Sequence, residues 1–350
     1  MGKRNGSLIG KRNVGAGATN NASGIWGLND TQRVMSPDNS SALKSKIQIQ
    51  YLLVGGGGGG GGSRTTEKRG GGGGAGGMVE GTLVFDSGTQ LYVRIGIGGG
   101  GGVGNNPGGS GTKSSLSTPN VDIDAWGGGL GKGYDSYTDN DAWGASGGGL
   151  DSHSAVTDRA IAGYVNQGNP GGQPHTGNVA DYPQGSRSAA GGGGAGDKGQ
   201  DAGLSSGGDG GIGRMSYITN TGVYYAGGGG GGARNGHSAG NGGTGGGGAG
   251  GQAPNDYSNT AYADGNNGIV NTGGGGGGAA TGANAIFPAI GRGGSGGPGV
   301  IILRFPQSVT FTETGGGSIT YSGPSPVPGT IDERYYTFTQ GENYITFTST

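Results

Sequence analysis

The sequence predicts a mainly β and irregular fold with almost no α-helix. Extended glycine segments are expected to lie side by side, bracketed by a small antiparallel β-sheet. Three observations carry that prediction. Tyr51-Leu52-Leu53-Val54 runs directly into an unbroken glycine tract, residues 55–62. The junction returns reversed near the other end, where glycine-rich residues 293–299 lead into Val300-Ile301-Ile302-Leu303-Arg304-Phe305. Glycine accounts for 99 of 350 residues, about four times its usual share of ~7%. Only 29% are hydrophobic, so apolar side chains alone would build a thin core.

Composition also separates order from disorder. Disordered chains usually carry a large net charge or few aromatics. Here the net charge is -1, with 15 Tyr, 6 Phe and 3 Trp, which favours order held mainly by backbone hydrogen bonds. The same balance argues against broad electrostatic capture of nucleic acid or of an anionic membrane. The absence of cysteine excludes disulfides and thiolate metal sites. Met1-Gly2-Lys3-Arg4 has no apolar stretch behind it, so no secretory signal is expected. Gly6 breaks the myristoylation pattern, and no apolar run approaches the ~18 residues of a membrane span.

Taken in order, residues 1–46 are polar, with Lys3, Arg4, Lys11 and Arg12 at the front. Ile25, Trp26 and Leu28 form an amphipathic patch too short to bury itself. They read as an anchor onto another protein, against packing back on the body. Asn29 is placed to cap a short turn through Gln32. Residues 46–54 alternate and then become continuously apolar, the pattern of a strand entering a buried sheet. Residues 78–85 and 90–97 read as a hairpin around the turn chemistry of 86–89. Further glycine tracts follow at 70–74, 98–102, 191–194, 227–232, 245–248 and 273–278, as an irregular repeat.

Polyglycine can adopt the threefold extended helix that rises ~3.1 Å per residue and has no internal hydrogen bonds. Every N–H and C=O then points outward and must find a partner. Without side chains, neighbouring copies can approach closely enough to supply one. A tract of this kind is unstable alone, but several from one chain can enclose one another.

The Tyr51-Leu52-Leu53-Val54 frame, the strands leading to Ile95-Gly96-Ile97-Gly98, and the closing run through Val300 to Phe305 and Pro306 resemble the glycine-rich domains of bacteriophage tail-fibre and virion proteins. The tracts are similar to those of the distal adhesins of T-even-type phages, which fold as polyglycine II bundles. A related bundle occurs in the anaplastic lymphoma kinase family, but this chain has no cysteines and no catalytic domain. The likeness covers residues 47–306. Gly24-Ile25-Trp26-Gly27-Leu28 also resembles the Gly-Ile-Trp-Ser-Leu motif of marine-phage structural proteins, with Gly27 in place of Ser. The resemblance implies a virion appendage: a docking segment over 1–46, a polyglycine II bundle over 47–306 and a C-terminal β tail over 307–350. It implies contact with other virion proteins and with a host-surface glycan or protein. A homo-oligomer is expected, with a trimer favoured, located in the virion.

Between the tracts, residues 103–190 are richest in side chains. Asp122-Ile123-Asp124-Ala125-Trp126-Gly127 recurs, with Asn140 for Ile123, as Asp139-Asn140-Asp141-Ala142-Trp143-Gly144, and each copy runs on to Gly-Gly-Gly-Leu, at Leu130 and Leu150. Trp126, Tyr134, Tyr137, Trp143, Tyr164 and Tyr182 amid Asp, Asn and Gln suit sugar binding, with flat apolar faces beside oriented donors and acceptors. Local packing over the bundle is the alternative. In the tail, 309–312 and 318–321 alternate as strands, and Pro324, Pro326 and Pro328 read as a stiff break. Residues 335–348 read as a strand pair around a Gly-containing turn.

Nothing else rises to a chemical site. Gly-x-Gly-x-x-Gly arises by chance at this glycine content and no strand–helix alternation surrounds it. Gly131-Lys132 fails the phosphate-loop pattern, since Trp126 and Gly133 stand at required positions. Arg69-Gly70-Gly71 and Arg292-Gly293-Gly294 lack the clustered basic charge of RNA-binding boxes. The pairs Asp122/Asp124 and Asp139/Asp141 lack a calcium loop's spacing and closing Glu, and read as turn formers. His153, His175 and His237 are scattered without metal spacing. No nucleophile elbow is present. The expectation is therefore no catalysis, no cofactor, no metal, no nucleic acid and no membrane insertion.

Overall fold

The computed structural model describes residues 45–64, 69–133, 144–152, 164, 166–175, 188–234, 236–253, 262–282 and 290–349. Among these the fold is mainly β and contains no helix. In chain order the strands are β1 (Lys46–Val54), β2 (Ser63–Arg64), β3 (Met78–Asp86), β4 (Gln90–Arg94), β5 (Ser114–Thr118), β6 (Val121–Ala125), β7 (Arg214–Ser216) and β8 (Val223–Tyr225). They continue with β9 (Tyr262–Ala263), β10 (Ala280–Thr281), β11 (Ile290–Gly291), β12 (Val300–Pro306), β13 (Val309–Glu313), β14 (Ser318–Pro326) and β15 (Glu333–Ser349).

One nearly closed antiparallel sheet of nine strands dominates, in the order β3-β1-β12-β15-β4-β5-β6, with β13 and β14 also on β15. The two brackets pair as expected: Tyr51 stands opposite Leu303 and Leu53 opposite Ile301. Burial explains why β1 changes pattern along its length. Ile47, Ile49 and Leu53 face the main core, which they share with Leu91, Val93, Leu116, Phe305, Phe338 and Phe347. Leu52 and Val54 face a second cluster with Met78, Ile302, Ile218 and Tyr225. A strand covered on both faces becomes apolar at every position.

The sheet is larger than the small one expected, and three local readings are corrected. Residues 78–97 are not a hairpin. β3 pairs with β1, while β4 pairs with β15 and β5. In the sheet order β1, β12 and β15 stand between β3 and β4, and Gly88 N–H donates to Phe347 O. Residues 335–348 are not a strand pair either. β15 runs through Gly341, whose φ of 87° lets the strand change partners. Before Gly341 it pairs with β12, and after it with β4. Finally, the prolines do not end β14, which continues to Pro326 as an edge strand on β15 where a missing N–H is tolerated, but they do interrupt its ladder: the register shifts between Ser322 and Ser325, across Gly323 and Pro324, and Pro328 lies beyond the strand.

The glycine segments leave the sheet at Val54, Met78 and Val300 and run as an array away from it. Residues 55–62 lie at its centre, and their hydrogen bonds repeat every third residue. N–H groups of Gly55, Gly58 and Gly61 donate to Gly77, Gly74 and Gly71. Those of Gly56, Gly59 and Gly62 donate to Thr112, Gly109 and Asn106, and those of Gly57 and Gly60 to Gly297 and Gly294. These three partner segments run antiparallel. The carbonyls of the same tract accept from three parallel segments: Gly56 and Gly59 from Gly128 and Gly131, Gly57 and Gly60 from Gly99 and Gly102, Gly58 and Gly61 from Gly276 and Ala279. All these bonds are 2.8–2.9 Å, for instance 2.8 Å from Gly58 N to Gly74 O, within the ordinary range.

Sterics, not backbone conformation, demand glycine here. None of residues 55–62 has a positive φ. A Cβ on Gly58 would lie 2.0 Å from Gly129 O, and one on Gly60 2.0 Å from Gly277 O. The Cα hydrogens occupy those directions, making close Cα–H···O contacts. Gly100, on the outer surface, would meet nothing within 4 Å.

Candidate functional site

The sequence-predicted aromatics that lie within the described residues are Trp126 and Tyr164, and the fold brings them together. β6 ends at Ala125, and Trp126 opens the next glycine segment. Its open edge is closed by one side chain: Trp126 N–H donates to Gln167 Oε1 at 2.9 Å, and Gln167 Nε2 donates to Asp124 O at 2.9 Å. That amide ties Gln167 to the end of the strand. Tyr164 then stacks on Trp126, with ring centroids 4.2 Å apart and planes within 4°. Lys113 Nζ stands 5.2 Å from the Trp126 ring centre, a cation–π arrangement worth ~0.5–1 kcal/mol at an exposed site.

Asp124 anchors the lysine. Lys113 Nζ lies 2.7 Å from Asp124 Oδ2, and Ser115 donates to Asp124 Oδ1 at 2.6 Å. Asp122 and Asp124 thus lie in a strand, not in the turn expected of them, and alternate onto one face. The repeat that contains them also gains a meaning. Residues 127–132 and 145–149 run side by side, with Ala145 N–H to Gly127 O, Gly129 N–H to Ser146 O and Lys132 N–H to Gly149 O. Leu130 packs against Leu150.

A family model described as a glycine-rich domain matches residues 37–306. The chain belongs to the glycine-rich domain family. No curated protein matches it. The glycine-rich domain ends at Pro306, the last residue of β12, yet β15 lies beyond that limit and sits in the same sheet between β12 and β4.

The other end of the glycine-rich domain's array gathers the described flanks of several connections. Arg64 pairs with Ile290, Arg69 bridges to Ala280, and Ala280 pairs with Ala263. Arg69 N–H donates to Ser152 Oγ at 3.2 Å, and Ser63 and Thr281 hydroxyls are 3.0 Å apart. Ser188 Oγ lies 3.5 Å from His237 Nδ1. Arg234 Nε donates to His237 Nε2 at 3.2 Å, so that nitrogen carries the lone pair. Burial, then Arg234 and Arg69, hold the His237 pKa below its usual value. The described residues that flank 65–68, 176–187, 254–261 and 283–289 therefore lie at this end, whereas 153–163 is flanked by Ser152 here and by Tyr164 beside the sheet.

Tyr134, Tyr137, Trp143 and Tyr182, with Ile25, Trp26 and Leu28 that were expected to dock, the expected Asn29 turn, Asp139/Asp141 and His153, lie outside the described residues. His175 and His237 join no cluster of metal-ligating type among the described residues. Sequence reasoning missed a second aromatic pair, Tyr92 and Tyr344, with ring centroids 5.2 Å apart on the outside of the sheet. The signal was present as outward alternation in Gln90-x-Tyr92-x-Arg94 and Glu342-x-Tyr344-x-Thr346. It was obscured because the two strands were each assigned to a different hairpin.

Proposed function

We propose that this chain is a non-enzymatic phage virion appendage, a tail-fibre or adhesin subunit. In this reading the array is a polyglycine II bundle that serves as a stiff stalk. One observation supports it most: residues 55–62 exchange bonds with six neighbouring segments at a period of three, the period of that helix. A core without side chains holds its shape while leaving the connecting loops free to differ in sequence. The loops joined at the end away from the sheet then contact a host-surface glycan or protein, and residues 1–46, through Ile25, Trp26 and Leu28, dock onto other virion proteins as part of a homo-oligomer.

The Trp126 ring is engaged by Tyr164 and Lys113. That observation favours a second reading, a purely structural virion protein such as a capsid fibre or decoration. Two measurements separate them. Antibody labelling of particles in the electron microscope is expected to place the chain on the tail, and labelling of the capsid alone selects the structural reading. Purified chain is expected to compete with particle adsorption to host cells. Replacing 134–143, 153–163 and 176–187 with Gly-Ser linkers of equal length is expected to remove that competition while the far-UV spectrum persists. Undiminished competition by the replaced chain refutes loop recognition.

A further inference from the structure

The outer face of the sheet carries a feature distinct from the loop end. Strand register sets out two rungs across four strands. In one, Glu342, Arg94, Ser115 and Asp124 stand side by side. In the next, Tyr344, Tyr92, Ser117 and Asp122 do so. Their neighbours along each strand, Val93, Leu116 and Ile345, are buried in the core, so these rungs face outward. Lys113 and Trp126 continue the face toward the array.

The side chains on this face are uneven in height. Tyr92 and Arg94 lean toward β15: Tyr92 donates to Glu342 Oε2 at 2.6 Å, and Arg94 Nε lies 3.5 Å from the same oxygen. Asp124 leans toward Lys113. Between them the floor is the half-buried Ser117, because Ser115 is buried with its hydroxyl on Asp124. Two strand spacings, from β4 to β6, make the trough roughly 10 Å wide. Its wall offers the aromatic edge of Tyr92, and Ser117 and the exposed Asp122 offer hydroxyl and carboxylate groups.

We infer that this trough binds an uncharged oligosaccharide chain. Pyranose rings present apolar faces that suit tyrosine and tryptophan, and their hydroxyls donate to a carboxylate and exchange bonds with serine. The electrostatics select among sugars. Lys113 is held by Asp124 and Arg94 by Glu342, which leaves Asp122 as the charge in excess. An acidic glycan would therefore meet no surplus of positive charge. The strands are fixed by ladder pairing on a packed core, so the site is formed before the ligand arrives. This inference does not depend on the virion reading, because any glycine-rich domain with these strands would carry the same face.

The test is titration of the full-length chain by NMR with neutral gluco- and chito-oligosaccharides and with sialylated and sulfated oligosaccharides as separate arms. Saturable binding of a neutral chain is expected. Ser117→Trp, which fills the trough with a residue that favours strands, and Tyr92→Ala are each expected to weaken it about tenfold or more. Ile269→Ser, on a remote exposed turn, is expected to leave it unchanged. Asp122→Asn serves in place of Ser117→Trp if that variant loses its folded spectrum. No neutral ligand in the panel, binding only in the acidic arm, or binding indifferent to these trough substitutions would overturn the inference.

Discussion

Replacing Gly58 by alanine tests the glycine array most directly. The added Cβ would lie 2.0 Å from Gly129 O, where an ordinary contact needs ~3.4 Å or more, so the two segments must separate by more than ~1 Å. The bonds that tie this neighbourhood are short: Gly58 N to Gly74 O at 2.8 Å, Gly74 N to Gly129 O at 2.8 Å, Gly276 N to Gly58 O at 2.9 Å and Gly129 N to Ser146 O at 2.9 Å. A shift of that size takes two to four of them past ~3.5 Å, where they cease to count. Each buried backbone group left unpaired costs ~1–3 kcal/mol, so at about 2 kcal/mol each the variant loses ~4–8 kcal/mol. That is comparable with the ~5–15 kcal/mol of a whole domain. Gly100→Ala is the matched control, because its Cβ meets nothing within 4 Å. It is expected to be neutral or to stabilise by ~0.4–1 kcal/mol by restricting the unfolded chain. Denaturant unfolding followed by far-UV circular dichroism measures both. A Gly58→Ala unfolding free energy within ~1 kcal/mol of that of Gly100→Ala would refute the close-packed account.

Other expectations follow from single side chains. Phe347→Ala removes a buried ring that touches Phe85, Phe305 and Phe311, and calorimetry is expected to register a loss of ~3–5 kcal/mol. Burial, then the bond to Glu342, push the Tyr92 pKa up to about 12. With the folded value above the unfolded one, its contribution is whole below pH ~10 and is lost as pH rises through ~12. Tyr92→Phe should make the melting temperature fall less steeply over that window than the parent's. The depressed His237 pKa acts in the opposite sense. The neutral form is favoured in the fold, so stability holds above pH ~6.5 and declines as pH falls below it. His237→Gln should reduce the difference in melting temperature between pH 7.5 and pH 5.

The sheet's brackets were legible because each strand announces itself locally. β1 shifts from alternation to continuous apolarity where its second face becomes covered, and β12 repeats that signal in reverse. Pairing partners were not legible. The turn residues at 86–89 and Gly341 suggested hairpins, but β15 is long enough to serve β12 with one half and β4 with the other. That outcome depends on residues more than two hundred positions apart, such as Tyr92 and Tyr344. Trp126 and Tyr164 were legible as candidates by residue type. Their stacking was not, since it rests on Gln167 reaching two backbone groups of β6 across forty positions of chain. Asp122 and Asp124 looked like turn formers because the strand containing them exists only through its pairing with β5.

The threefold bonding of residues 55–62 also limits how such a chain can change length over generations. One extra glycine within the tract turns every later amide by about 120° and points it at the wrong neighbour. Two extra do the same in the opposite sense, whereas three restore the phase and merely lengthen the rod. The segments that join the tracts at the end away from the sheet carry no such constraint. Genetic drift in this molecule should therefore leave a mixed record, with insertions of any size in the connections and steps of three residues in the glycine stretches.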